Sequence, residues 1–429
     1  MRDVIGAPAG WLAKKIQDGE LSSMEVVRAH LEHIHTVNPR INAVVFATAE
    51  SAIKEARNAD RRHKRDAVLG PLHGVPFTAK DIFNTAGLPT TAGLRMLRTH
   101  IPDHDATAVA RMRRAGAILI GKTNCPPGGT GEESWRSIHG GTRNPYDITR
   151  TPGGSSSGEA AIIAAGGSPL GLGSDSGGSI RVPAHYCGVA GLKPTAGLIP
   201  VTGAYALPGG LSDPRSQVGP MARYVSDLKL ALRVLAGPDG IDSAIVPVPV
   251  PRRTPKLDGL RVAWYSDDGM AKPTPAVAAT VRAAARALAA AGCNVTEERA
   301  PSLTEAWQVT LGYWGLRRMS HERMYRRWDA YRSLLLKFMS RFDLVLTPVA
   351  PDVAPPYRVK TVSDHQFSYT VPFSLTGNPC VVVRAGTSPE NLPIGVQIVG
   401  RNWQDNTALR AARAIERALG GWRPASVVG

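Results

Sequence analysis

Residues 151–220 constrain the fold more tightly than any other stretch of the chain. Glycine and serine dominate there, charges are few, and the apolar runs AAIIAAG and SPLGLG alternate with turns. A flexible linker of that length would be polar throughout, and a membrane span needs about 18 consecutive apolar residues. Short apolar runs separated by glycine turns fit buried strands and helices whose connecting loops wall a site.

The flanking sequence fits the same class. Residues 9–37 read as helical, with Ser22 or Ser23 capping MEVVRAHLEHIH. A short apolar strand follows at 44–49 and a polar helix at 49–65. GVPFTAKDIF (74–83) reads as a buried strand entering a loop, and 107–120 as a helix followed by a strand. LRVAWYS, FDLVLTPV and PCVVVRAG read as further strands, with helices predicted at 275–291 and after Arg401. Strands interleaved with helices predict an α/β fold. The predicted organisation is a helical segment, 1–65, packed on an α/β body, 66–429, with a Pro-rich internal linker candidate at 246–256.

Lys and Arg exceed Asp and Glu by a formal +16, which raises a nucleic-acid reading. Only two dense spots exist, Arg61–Arg65 and the arginines between 317 and 332, and neither carries a zinc-finger or aromatic RNA-binding pattern. Solvated basic faces account for them. The four cysteines stand far apart, so reduced thiols are expected, with Cys125 a nucleophile candidate that no other cue supports. His100 and His104 have i,i+4 spacing, but Pro102 lies between them and no metal motif accompanies them. The start of the chain lacks the pattern of a signal peptide, so the expected location is the cytoplasm.

Three serine motifs compete for chemistry. Gly154–Gly158 satisfies GxSxG with Ser156 at its centre and His365 in the required order, but a nucleophile elbow needs a preceding strand, and 149–153 reads as a loop. Asp175-Ser176-Gly177-Gly178 matches a trypsin-like motif that belongs to an all-β, disulfide-bearing fold. The third reading takes GVPFTAKD (74–81), PGGSSSGEAA (152–161) and GLGSDSGGSIRVPAHYCGVAGLKPT (171–195) together. With GKTNCP, TRNPYD, SQVGPMAR, DLVLTP and LPIGVQIVG, these segments resemble the amidase signature family over about 60–430. The match is nearest to its small-molecule and fatty-acid amide hydrolases.

The resemblance implies a large mixed, twisted sheet covered by helices on both faces. It assigns the nucleophile to Ser179, a relay to Ser155 after a cis Gly154–Ser155 bond, and the base to Lys80. It implies an oxyanion hole from the backbone of Ser176, Gly177 and Gly178, leading into Ser179, and no metal or cofactor. A lysine is a base only when neutral, and burial lowers its pKa because desolvation penalises the ammonium form. Asp175 and Arg181 are expected to brace the loop, and Ser156 to orient it.

One departure concerns substrate binding. After GKTN the chain reads Pro126-Pro127-Gly128-Gly129-Thr130-Gly131, where relatives place bulky side chains in the acyl pocket. Gly128 and Gly129 therefore predict a wide floor, unless Trp135 fills it. Trp307, Tyr313 and Trp314 line an aromatic entrance or pack in a helix core. A wide pocket favours aryl or alkyl amides and anilides, with carbamates (urethanes) and esters as side activities. The expected partner is a small amide substrate, with no nucleic acid and no membrane, in a monomer or homodimer. The alternative is the amidotransferase subunit of a complex that forms glutaminyl- or asparaginyl-tRNA. TNCPPGGTGEES argues against it, because it lacks the DEFAMG-like run of such subunits.

Overall fold

Eleven strands pair into one mixed sheet in the computed structural model, which describes residues 2–65, 68–131, 134–204, 215–251, 253, 255–358 and 366–425. His365 lies outside the described residues. The strands are β1 (Val44–Ala47), β2 (Pro76–Lys80), β3 (Ile118–Thr123), β4 (Leu170–Asp175), β5 (Ala190–Lys193) and β6 (Gln217–Ala222). They continue with β7 (Arg261–Trp264), β8 (Asn294–Glu297), β9 (Leu344–Pro348), β10 (Cys380–Thr387) and β11 (Pro393–Gly400). Their spatial order is β1-β3-β2-β4-β6-β5-β10-β11-β9-β7-β8. β3, β2 and β4 run parallel, as do β9, β7 and β8, while the centre from β4 to β9 is antiparallel.

Alternation along each strand explains why helices cover both faces. Val381 and Val383 of β10 join Val396 and Ile398 of β11 in one core layer. Leu232, Leu288 and Ile415, from helices Val225–Leu235, Pro275–Ala290 and Asp405–Leu419, complete it. Val382 points to the opposite layer with Ile120, Ile162 and Val182. Strands buried on both faces read as near-continuous apolar runs, as predicted for the valines of β10.

The predicted helix over 9–37 is two helices, Ala9–Gln17 and Ser23–Ile41. Gly19, at φ +75°, turns the chain out of the first helix. Ser22 and Glu25 then form a reciprocal capping box that starts the second.

The fold brings three separate segments to one place. β2 and β4 are parallel neighbours, so Lys80 and Asp175 end on the same edge of the sheet. Crevices at the carboxyl ends of parallel strands are the usual ligand position in such sheets. Helix Ser157–Ala164 starts beside the end of β3, where the Gly158 N–H donates to Asn124 O. A Cβ at 158 would sit 2.4 Å from Ala43 O and 2.5 Å from Asn124 N, so only glycine permits this approach.

Candidate active site

Lys80 is fully buried at the end of β2. Its Nζ donates to Ser155 Oγ at 2.6 Å and to Ser174 Oγ at 2.9 Å. Burial lowers its amine to about 8, against the opposing pull of Cys125, Asp175 and Glu159. Ser155 is buried and follows a cis peptide bond from Gly154. The Ser156 N–H donates to Ser179 O at 3.1 Å, which ties the two serine loops together. Ser156 Oγ donates to Ser174 O at 3.3 Å and is therefore spent on the backbone of β4.

Ser179 is half-buried at the end of a loop held by Asp175 and Arg181. Asp175 accepts from the N–H of Gly178 at 2.7 Å and of Ile180 at 3.1 Å, and its carboxylate pairs with the Arg181 guanidinium at 2.8 Å. Burial works against the Asp175 carboxylate, but Arg181 and these hydrogen bonds hold its pKa below the ordinary range. Arg181 also donates to Thr370 O, Gln397 Oε1 and Ser374 Oγ, so the loop is locked to β11 and to helix Val371–Leu375. Because the Gly178 N–H is spent on Asp175, it is not an open donor. Among the described residues no acceptor takes the N–H of Ser176, Gly177 or Ser179.

Trp314 covers this loop. A Cβ at Gly177 would lie 2.8 Å from Trp314 Cζ2, and Trp314 meets Phe367 edge-on at 6.2 Å. Trp307 is buried behind it, and Tyr313 packs edge-on against Trp328. Of the three aromatic candidates, Trp314 therefore lies on the loop. Gly128 and Gly129 both have positive φ, and a Cβ at 128 would meet nothing closer than Thr130 Oγ1 at 3.9 Å. Trp135 packs edge-on against Tyr357 at 5.7 Å.

Two site groups escaped the sequence reading. Ser174 reaches Lys80 only because β4 lies beside β2, a pairing one sequence does not display. Glu159 resembles an ordinary first-turn acid but is fully buried, accepting from the Thr78 hydroxyl and from Thr123 Oγ1 at 2.8 Å. Burial raises it to about 8, while both threonines and Lys80 act to lower it. Cys125 is buried with its thiol pushed up to about 12, chiefly by desolvation, which leaves it inert as a nucleophile. Among the described residues no group of three His, Cys, Asp or Glu side chains is placed to hold a metal ion, and no helix is long and apolar enough to cross a membrane.

The family model described as Amidase matches residues 25–325 and 315–409. A glutamyl-tRNA(Gln) amidotransferase subunit from Chloroflexus aggregans is 35% identical over 93% of each chain. Fatty acid amide hydrolase superposes with a TM-score of 0.87 at 26% identity, covering 97% of this chain and 86% of that one. A structure described as a vestigial protein complex that reveals the origins of an s-triazine catabolic enzyme gives 0.88 at 29% identity, over 97% and 100%. The full-length match to one subunit of an enzyme named for glutamyl-tRNA(Gln) corrects the expectation about partners. A small amide substrate alone, with no nucleic acid and a monomer or homodimer as the whole assembly, does not stand. The divergent loop after GKTN was too local a feature to outweigh similarity along the whole chain.

Proposed function

Because the chain belongs to the amidase family, we propose that it breaks the C–N bond of a carboxamide through an ester on Ser179. The observation that carries this reading is the buried Lys80 amine, 2.6 Å from Ser155 Oγ and with its pKa lowered to about 8. Neutral Lys80 takes the proton of Ser155 as Ser155 takes that of Ser179, and the Ser179 oxygen attacks the amide carbonyl. The N–H groups of Ser176, Gly177 and Ser179 receive the developing oxyanion. The relay then runs in reverse to protonate the departing nitrogen, and water releases the acyl group by the same path.

The amidotransferase relative supports a particular amide. An amidotransferase takes its nitrogen from a carboxamide, and among amino acids the side chains of glutamine and asparagine offer one. In this reading the chain releases ammonia within a larger assembly that serves a tRNA-linked acceptor. A second reading, hydrolysis of aryl amides, anilides, urethanes or esters, draws support from the open space beside Gly128, where a Cβ would meet nothing closer than Thr130 Oγ1 at 3.9 Å.

Assays of the purified protein with glutamine, asparagine, a p-nitroanilide, an aryl carbamate and a p-nitrophenyl ester separate these readings. Ammonia from glutamine or asparagine, increased by a co-purifying partner, supports the first. Aryl turnover without it supports the second. Absence of turnover on every substrate, together with no labelling of Ser179 by a sulfonyl fluoride, overturns the acyl-enzyme reading itself.

A further inference from the structure

Remote from the serines, a cleft of about 210 Å³ opens between helices Val225–Leu235 and Asp405–Leu419. Ser226 and Lys229 line one wall, and Arg410, Arg413 and Arg417 line the other. The spacing is that of one helix face in each case, i,i+3 on the first and i,i+3,i+7 on the second. None of the described lining residues is acidic. Of the acids on these two helices, Asp227 is committed elsewhere, while Glu416 neutralises one lining cation, Arg413. Glu416 accepts from the Val225 N–H at 2.9 Å and from Arg413, while Asp227 accepts from the N–H groups of Ala9 and Gly10.

Cations crowded into a partly enclosed space repel one another. Desolvation first, then Arg233 and Arg410, lower the Lys229 amine. Arg410 Nε is buried without a hydrogen-bond partner. A buried N–H left unmade is costly, and phosphate oxygens accept charge-assisted, often bidentate, hydrogen bonds from guanidinium groups.

We propose that this cleft is a binding site for a phosphate group, held by Arg410 and Arg417, with Lys229 and the Ser226 hydroxyl on the facing wall. The volume is about seven times the share of one water in the liquid, enough for a phosphate or diphosphate moiety. The phosphate belongs either to a free phosphorylated small molecule or to a nucleic-acid backbone.

The test compares the wild type with an Arg410→Gln/Arg417→Gln double variant, using calorimetric titration at constant ionic strength. Inorganic phosphate, pyrophosphate and an RNA oligonucleotide are the three probes. Pyrophosphate should bind the wild type and weaken by about tenfold or more in the variant, since removing even one charge-assisted hydrogen bond has an effect of that size. Binding of phosphate and pyrophosphate identifies a small-molecule site, whereas variant-sensitive binding of RNA alone identifies recognition of a nucleic-acid backbone. Hydrolytic activity should match in both proteins, because neither arginine belongs to the serine site. A wild type that binds none of the three probes, or a variant that binds them equally well, overturns the proposal.

Discussion

In the proposed relay Lys80 is a surface-type residue put to use as a base: the strand carries it to full burial, and desolvation lowers its amine. Since only the neutral amine accepts a proton, activity should rise with pH in one step near 8, and a kcat/KM profile measures it. Ionised Glu159 raises the Lys80 pKa, but burial lifts the Glu159 carboxyl to about 8 as well, so Glu159→Gln should move that step to lower pH only to the extent that Glu159 is ionised where Lys80 titrates. A step that stays in place in a folded Glu159→Gln protein would mean the carboxyl is already protonated where Lys80 titrates. The leaving group offers an independent check. An amine must be protonated as its C–N bond breaks, whereas a p-nitrophenolate departs unaided. Lys80→Ala should therefore lower the amide-to-ester ratio of kcat/KM by about 10²–10⁴-fold, the usual worth of general acid catalysis. Ser155→Ala should shift the ratio the same way, while Ser179→Ala removes both activities. Equal losses on amide and ester in Lys80→Ala would make the lysine structural.

The loop from Asp175 to Arg181 behaves as one piece because a buried ion pair and several backbone hydrogen bonds fix both of its ends. Asp175→Ala would leave Arg181 buried without its partner, a loss of about 3–5 kcal/mol that chemical denaturation reads directly. Gly177→Ala should cost about 1–3 kcal/mol of stability and push Trp314 off the loop, since the new methyl would sit 2.8 Å from its ring. Relieving that contact takes a shift of about 1 Å, which beside the reacting carbonyl should reduce kcat by up to about a hundredfold and alter Trp314 fluorescence. The loop itself was legible in the sequence, because glycines and serines between apolar runs have few other uses. Strand positions β2, β3, β9 and β10 were legible for a similar reason: buried strands are continuous apolar runs. Ser174, Glu159 and the seat of Trp314 were not, because each depends on which elements become neighbours, and local pattern carries no record of that. The break at Gly19 was hidden by helical periodicity that continues on both sides of it.

One junction binds distant parts of the chain together. The buried Arg223 donates to Ala7 O and Ser168 O, and Tyr224 to Gly6 O. Asp227 accepts from the N–H groups of Ala9 and Gly10, so the start of helix Val225–Leu235 anchors helix Ala9–Gln17. Burial raises the Asp227 carboxyl from 3.8 to about 6, with Glu416 adding to it and the two N–H groups and Arg223 opposing. The native state therefore holds this proton more tightly than the unfolded chain does. Its stabilising effect is complete below about pH 3.8 and is lost as the pH rises through 6. The shift corresponds to roughly 3 kcal/mol over that window. Asp227→Asn removes the titration while keeping one acceptor oxygen for the helix. Its stability relative to wild type carries an unknown constant offset from the altered hydrogen bonds, but the pH dependence of the difference does not depend on that offset. Urea denaturation of both proteins at several values between pH 4 and 7 should show the variant gaining on the wild type as pH rises, by up to about 3 kcal/mol in total. A difference that stays constant across the range would mean that Asp227 remains ionised in the folded protein, with its two backbone N–H groups sufficient to hold the charge.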